Sequence, residues 1–212
     1  LAELGIKSTA LGFVAGFTGR AIDEGAQAAG IDTDFIMLKE GISRINVKLK
    51  AAEETEINAQ GPKIDEESQM QLFNKLSRLV PGDMLILAGS IPNSLPDDVY
   101  ERILSMLDGK GIEFVVDATK DLLTNVLKYH PFLIKPNNFE LGEIVGKTLE
   151  NDDEIYEGAL KLQEMGARNV LISMAGDGAM LVDENKKRYR IGVPKGKVRN
   201  SVGAGDSMVA GF

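Results

Sequence analysis

The sequence predicts an α/β fold in which a mainly parallel sheet is flanked by helices, and three observations carry that expectation. Short apolar runs of strand length alternate with amphipathic stretches of helix length through most of the 212 residues, the pattern of a parallel sheet covered by helices. One interval, 42–61, breaks the alternation: Ile45, Val47 and Leu49 alternate with Asn46, Lys48 and Lys50, and Ile57 and Ala59 alternate with Glu56, Asn58 and Gln60. That period of two belongs to half-exposed antiparallel strands. The chain then closes on a glycine-rich turn directly ahead of an apolar, helix-forming run, NSVGAGDSMVAGF.

Taken in order, Ala10 to Gly16 reads as a buried strand, Arg20 to Ala29 as a short helix ending at Gly30, and Phe35 to Leu38 as a strand. After the alternating insert and Pro62, a helix from about Asp65 is expected to bury Met70, Phe73, Leu76 and Leu79. MLILAG follows as a strand, Pro96 to Leu107 as a helix, EFVVDAT as a strand, Asp121 to Lys128 as a helix and FLIKP as a strand. Asn138 to Val145 and Asp152 to Met165 read as helices and VLISM as a strand. Ala179 to Asp183 and Arg188 to Val193, split by polar Glu184 to Lys187, form a hairpin, and a last helix opens at Asp206.

Composition bounds the function. A 43% hydrophobic chain of this length supports one sizeable core, hence one domain or at most two. The longest apolar stretches, such as Met84 to Ala88, are far shorter than the roughly 20 residues of a membrane helix. LAELGIKS at the N-terminus is neither a signal nor a transit peptide, and the absence of cysteine fits a reducing cytoplasm and leaves oxygen ligands for any metal. A net charge of -8 argues against nucleic acid and membrane surfaces as partners. Small anionic substrates then need local donors; Lys195, Lys197 and Arg199 lead into the glycine turn, where the plainer reading is three solvated side chains.

The turn Gly203-Ala204-Gly205-Asp206 is an anion site by residue type: glycines allow close approach, and the first N–H groups of a helix are unpaired at its positive end. Asp206 there either accepts a proton from a hydroxyl attacking a phosphate or caps the helix. Ligands of parallel sheets gather beyond the strands' carboxyl ends, so three further places attract the functional reading. They are Ser90 after MLILAG, Lys135 to Glu140 after FLI, and Ser173 to Gly178 after VLI. Each has a structural alternative, with Ser90 as a turn residue, Asn137 and Glu140 as a capping box and Gly178 as a hairpin turn. His130, the single histidine, reads as structural before Pro131.

These residues resemble the ribokinase-like carbohydrate kinases, the PfkB family, from end to end. The family's C-terminal signature is present as Gly203-Ala204-Gly205-Asp206 and its Asn-x-x-Glu motif as Asn137 to Glu140. The insert, with Ser43-Arg44-Ile45-Asn46-Val47 and Glu56-Ile57-Asn58, resembles the 1-phosphofructokinase branch, with tagatose-6-phosphate kinase as the close alternative. The resemblance implies a three-layer ribokinase-like sandwich, one kinase domain over 1–212 with 42–61 as a β lid, and transfer of the ATP γ-phosphoryl group to the 6-hydroxyl of fructose 1-phosphate. It implies that Asp206 is the base, that Gly203, Ala204 and Gly205 stabilise the transferring group, and that Arg44, Asn46 and Ser90 bind sugar phosphate. Asn137 and Glu140 would organise Mg2+, while Lys135, Asn137, Ser173, Gly176 and Gly178 would serve the nucleotide. It also implies a cytoplasmic enzyme and a homodimer through the lid. The family's N-terminal sugar-binding Asp and diglycine, and its C-terminal adenine-side loop, are not among these residues, so the chain is expected to be a central fragment, inactive alone. Ala175 stands where the family's nucleotide loop usually has Gly, and Ser43 and Ser201 stand for the commoner Thr. The reading from another class is a noncatalytic sugar-phosphate or nucleotide-binding module.

Overall fold

The computed structural model describes residues 1–50, 54–89, 91–196 and 203–212. They form two compact units, Leu1–Arg78 with Ile91–Pro96, and Leu79–Ser90 with Asp97–Phe212.

The first unit contains β1 (Thr9–Ala10), β2 (Phe13–Ala15), α1 (Gly16–Ala28), β3 (Asp32–Thr33), β4 (Ile36–Leu38), β5 (Asn46–Lys50), β6 (Glu54–Asn58) and α2 (Glu66–Leu76). β1 pairs with β3 and β2 with β4, both parallel. The expected strand over 10–16 is therefore two short ones, and α1 begins at Gly16 rather than Arg20. The early start follows from Gly16, whose φ of +60° turns the chain directly from β2 into the helix. Ala15, Leu38 and Ile64 form the unit's core with Phe13 and Leu95 packed on it. β5 and β6 pair antiparallel with Val47 opposite Ile57, as the alternation predicts. Asp65 caps α2 by accepting the Ser68 N–H at 2.7 Å, worth about 1 kcal/mol. Met70, expected on the buried face of α2, is 61% exposed, while Leu76 is buried.

The second unit contains β7 (Met84–Ala88), α3 (Val99–Leu107), β8 (Glu113–Asp117), α4 (Lys120–Thr124), β9 (Leu133–Ile134), α5 (Asn138–Val145), α6 (Asp152–Glu164), β10 (Asn169–Ser173), β11 (Ala179–Val182), β12 (Arg188–Ile191) and α7 (Ala204–Gly211). Its six-stranded sheet runs β7-β8-β9-β10-β11-β12, parallel through β10 and antiparallel from β10 to β12. α3 starts at Val99, three residues after the expected Pro96, and the expected helix over 121–128 is α4 followed by a 3-10 turn, Leu127–Tyr129. His130 ends that turn at φ +52°, with Nδ1 3.2 Å from the Gly166 carbonyl oxygen, a structural position.

Residue parity fixes the two sheet faces. Val115, Leu133, Leu171 and Ala179 form one buried face, against which Met208 and Val209 of α7 pack. Val116, Ile134, Val170 and Ile172 point the other way and are also fully buried, on a sheet whose β10 touches α5 and α6. Burial on both faces is why these strands read as nearly continuous apolar runs. At the amino edge Arg168 clamps three strands. Its guanidinium donates to both oxygens of Glu113, at 3.0 and 2.8 Å, and to Glu184, while stacking over Phe132.

Candidate active site

Gly203, at φ +77°, is the residue ahead of α7, which opens at Ala204 rather than Asp206. Asp206 is thus the third helical residue, and the cap position itself is a glycine with no side chain to offer. Its Oδ2 turns back to 4.0 Å from where a Cβ on Gly203 would stand. The helix packs on the sheet through Met208 and Val209, and Phe212 at its far end contacts the ring of Phe132, just before β9. α7 therefore runs back along the strands with its positive end at their carboxyl edge. A left-handed glycine followed by helical residues also aligns successive N–H groups into an anion-binding concavity.

Asp117, Lys135 and Ser173 continue the parity of Val115, Leu133 and Leu171, and so face the α7 side where β8, β9 and β10 end. Lys135 is 8% exposed. Its Nζ lies 3.2 Å from Asp117 Oδ1 and 3.3 Å from where a Cβ on Gly205 would be. Gly205 leaves this room: a methyl group there would crowd the buried ammonium, which would have to shift by a few tenths of an ångström. A cation beneath the positive end of a helix is unfavourable unless anions neutralise it; Asp117 supplies one, and a bound phosphate would supply more. Sequence reasoning overlooked Asp117, although an acidic residue closing an apolar strand run at the ligand edge was visible signal. Burial and then the Asp117 charge raise the pKa of Tyr100, whose hydroxyl donates to the Ala88 and Gly89 carbonyls at 3.0 and 3.2 Å. That bond holds the chain where β7 ends.

Asn137 and Glu140 form a complete capping box on α5. Asn137 Oδ1 accepts the Phe139 and Glu140 N–H groups, both at 2.9 Å, and Glu140 Oε2 accepts the Asn137 N–H at 2.8 Å. Both lone pairs of the Asn137 oxygen are thereby engaged, which leaves its amide NH2 to donate. Among the described residues no three acidic or histidine side chains cluster as a metal site. A magnesium ion fits here only as it usually binds, through one or two carboxylates with waters and substrate phosphates; Glu140 and Asp117 each keep one carboxylate oxygen outside the bonds described above.

The loop after β10 is anchored to the same place. The Ser173 N–H donates to the Pro136 carbonyl at 3.1 Å and Ser173 bridges to Asn137. Met174 N–H then bonds to the Gly178 carbonyl, closing a tight turn around the 3-10 segment Ala175–Asp177. Gly178 is the expected hairpin glycine with a second constraint, since a Cβ would stand 2.0 Å from the Ile191 carbonyl oxygen. Gly176 faces open space. Arg44 and Asn46 belong to the first unit, Asn46 as the first residue of β5 opposite Asn58, both exposed. Ser90, Lys197, Arg199 and Ser201 lie outside the described residues.

Residues 1–212 match the pfkB family carbohydrate kinase profile. The chain belongs to the pfkB family of carbohydrate kinases. It is 46% identical over 207 residues to a 1-phosphofructokinase of Bacillus subtilis, covering 98% of this chain and 68% of the relative. A D-tagatose-1-phosphate kinase of Bacillus licheniformis is 38% identical over 213 residues, covering 100% and 69%. Among solved structures, phosphofructokinase-2 from Escherichia coli in complex with fructose-6-phosphate superposes with a TM-score of 0.87 at 26% identity, covering 98% of this chain and 69% of that one. The fold is the ribokinase-like fold of the pfkB kinases, a mostly parallel sheet flanked by helices with antiparallel strands added. The glycine turn, Lys135 and the Asn-x-x-Glu helix of this chain stand at one sheet edge. No helix among the described residues is long and apolar enough to cross a membrane.

Proposed function

We propose that the enzyme carrying this chain transfers the γ-phosphoryl group of ATP to the 6-hydroxyl of fructose 1-phosphate, giving fructose 1,6-bisphosphate. The observation that carries this reading is the convergence of a buried lysine and a helix N-terminus with an aspartate in its first turn at the carboxyl edge of the sheet. Asp206 takes the proton of the attacking hydroxyl late, as the new P–O bond forms, because a carboxylate at a positive helix end is a weak base. The N–H groups of Gly203, Ala204 and Gly205 and the Lys135 ammonium stabilise the charge that spreads over the transferring oxygens. Asn137 donates its amide to a phosphate oxygen, Glu140 and Asp117 hold Mg2+ directly or through water, and Ser173 and Gly176 line the nucleotide. Magnesium, when bound, offsets phosphate charge. Arg44, with Asn46 beside it, presents a planar fork to the sugar phosphate, and β5 and β6 form a lid over the sugar.

Tagatose phosphates are the second reading. The relatives named above include a tagatose 1-phosphate kinase as well as a 1-phosphofructokinase, which favours a ketohexose carrying its phosphate at C1. Turnover of fructose 1-phosphate, tagatose 1-phosphate, tagatose 6-phosphate and fructose 6-phosphate by the intact enzyme ranks the acceptors, with fructose 1-phosphate expected first. Asp206→Asn preserves shape but accepts no proton, so kcat should fall roughly 10²–10⁴-fold while ATP affinity holds or tightens. A kcat within about threefold of the parent would remove Asp206 from the mechanism.

A further inference from the structure

Ser43, immediately before Arg44, is fastened at every polar atom that it has. Its N–H donates to the Ala15 carbonyl at 3.0 Å, its Oγ accepts the Ala15 N–H at 2.9 Å, and its carbonyl accepts the Thr18 hydroxyl at 2.9 Å. Both side chains are buried, Ser43 at 7% and Thr18 at 9% exposure, where an unmet donor or acceptor would be costly. Two glycines of α1 make room. A Cβ on Gly16 would stand 2.7 Å from the Gly41 carbonyl oxygen and 2.8 Å from Ile42, and one on Gly19 would stand 3.2 Å from Ser43 Oγ. The backbone of 41–43 is thus pressed onto the junction of β2 and α1, with the Ser43 side chain buried and those of Ile42, Arg44 and Ile45 exposed.

From this we infer that Ser43 and Thr18 are positioning residues for Arg44: they bolt the root of β5 to the β2–α1 junction, so that the guanidinium leaves a fixed backbone. The inference rests on the proposed role of Arg44 in binding sugar phosphate. The physical reason is reach. Arginine is long and rotamer-rich, and its bidentate geometry is useful only if its Cα does not wander. A strand pair exposed on its apolar side, as Val47, Leu49 and Ile57 are, cannot supply that anchorage by burial. The three bonds at Ser43 supply it instead.

The test is made in the intact enzyme, after turnover of fructose 1-phosphate by the unmodified protein has been established, so failure of the reaction assignment and failure of this inference are separate results. Ser43→Ala and Thr18→Val should raise KM for fructose 1-phosphate roughly tenfold and several-fold respectively, with KM for ATP changed less than about twofold. Thr18→Ser keeps the hydroxyl and should stay near the parent. In an Arg44→Lys background, itself raised in sugar KM, Ser43→Ala should add less than about twofold, because the two changes remove one interaction. If Ser43→Ala and Thr18→Val lower thermal stability while the sugar KM holds, the contacts serve the fold alone and the inference is overturned. A Ser43→Ala effect that persists in full with Lys at 44, or an Arg44→Lys enzyme with unchanged sugar KM, overturns it equally.

Discussion

Ala175 takes φ +46°, a left-handed conformation that a Cβ disfavours, at the first position of the tight turn after β10. The conformation is imposed from outside the residue: the Met174 N–H to Gly178 carbonyl bond closes the turn, and the Asp177 N–H to Met174 carbonyl bond tightens it. Left-handed backbone costs a non-glycine residue about 1–2 kcal/mol, partly offset by the greater freedom of glycine in the unfolded chain. Ala175→Gly is therefore expected to stabilise by about 1 kcal/mol, a rise of about 2–4 °C in the unfolding midpoint for a chain of this size. Gly178→Ala, three residues on, should do the reverse and by more, because φ is +91° and the added carbon would meet the Ile191 carbonyl oxygen at 2.0 Å. Thermal unfolding of the two variants checks the pair; equal midpoints would mean that this turn relaxes freely. Neither value was legible in the sequence, which marked Ala175 as a departure from a motif and Gly178 as a hairpin glycine or a nucleotide-loop residue.

At the scale of elements, α5 raises the question of whether its first turn is a cap or a metal site. The capping box uses Glu140 Oε2 and leaves the carboxylate its other oxygen and its charge. Glu140→Gln separates the functions, since glutamine completes a capping box too. The variant should lose less than about 0.5 kcal/mol of stability, with the macrodipole contribution of one charge as the main loss, while requiring several-fold more magnesium for half-maximal turnover. An unchanged magnesium requirement would leave Glu140 as a cap only. The same helix shows what a sequence discloses. Asn138–Val145 was predicted to the residue because an Asn, a Glu three on and a Gly at the far end are local signals that need no tertiary context. Strand β9, buried on both faces, was legible from its apolar run, as were β5 and β6 from their alternation. The start of α1 was not, because the left-handed turn at Gly16 and the Gly41 carbonyl that leaves no room there for a side chain are features of the folded chain, 25 residues apart in sequence. Asp117 carried a local signal, an acidic residue closing an apolar strand run, but its pairing with Lys135 was not legible, because parallel pairing of β8 with β9 brings the two together.

For the molecule as a whole, the division into two compact units, each with its own packed residues, has consequences for how ligands are felt. The proposed sugar ligands Arg44 and Asn46 lie in the first unit, and the proposed nucleotide residues Lys135, Asn137, Ser173 and Gly176 in the second. A ligand stabilises what it binds by an amount set by its concentration over its Kd, about 2.7 kcal/mol at a hundredfold excess. Amides that exchange by local opening report only the openings that break the ligand's contacts. Hydrogen exchange on the intact enzyme is therefore expected to show fructose 1-phosphate slowing peptides that span Gly41 to Val47 by up to about 100-fold, with little change over 169–178. A non-hydrolysable ATP analogue should slow Lys135 to Glu140, Ser173 to Gly178 and Gly203 to Ser207, and spare β5. Fructose 1-phosphate protecting the second set while leaving Gly41 to Val47 untouched would refute the assignment of Arg44 and Asn46 to the sugar. Equal slowing of the core amides Val14, Leu38, Val116 and Ile172 by either ligand would show instead that the two units open as one cooperative body, so that each ligand stabilises both.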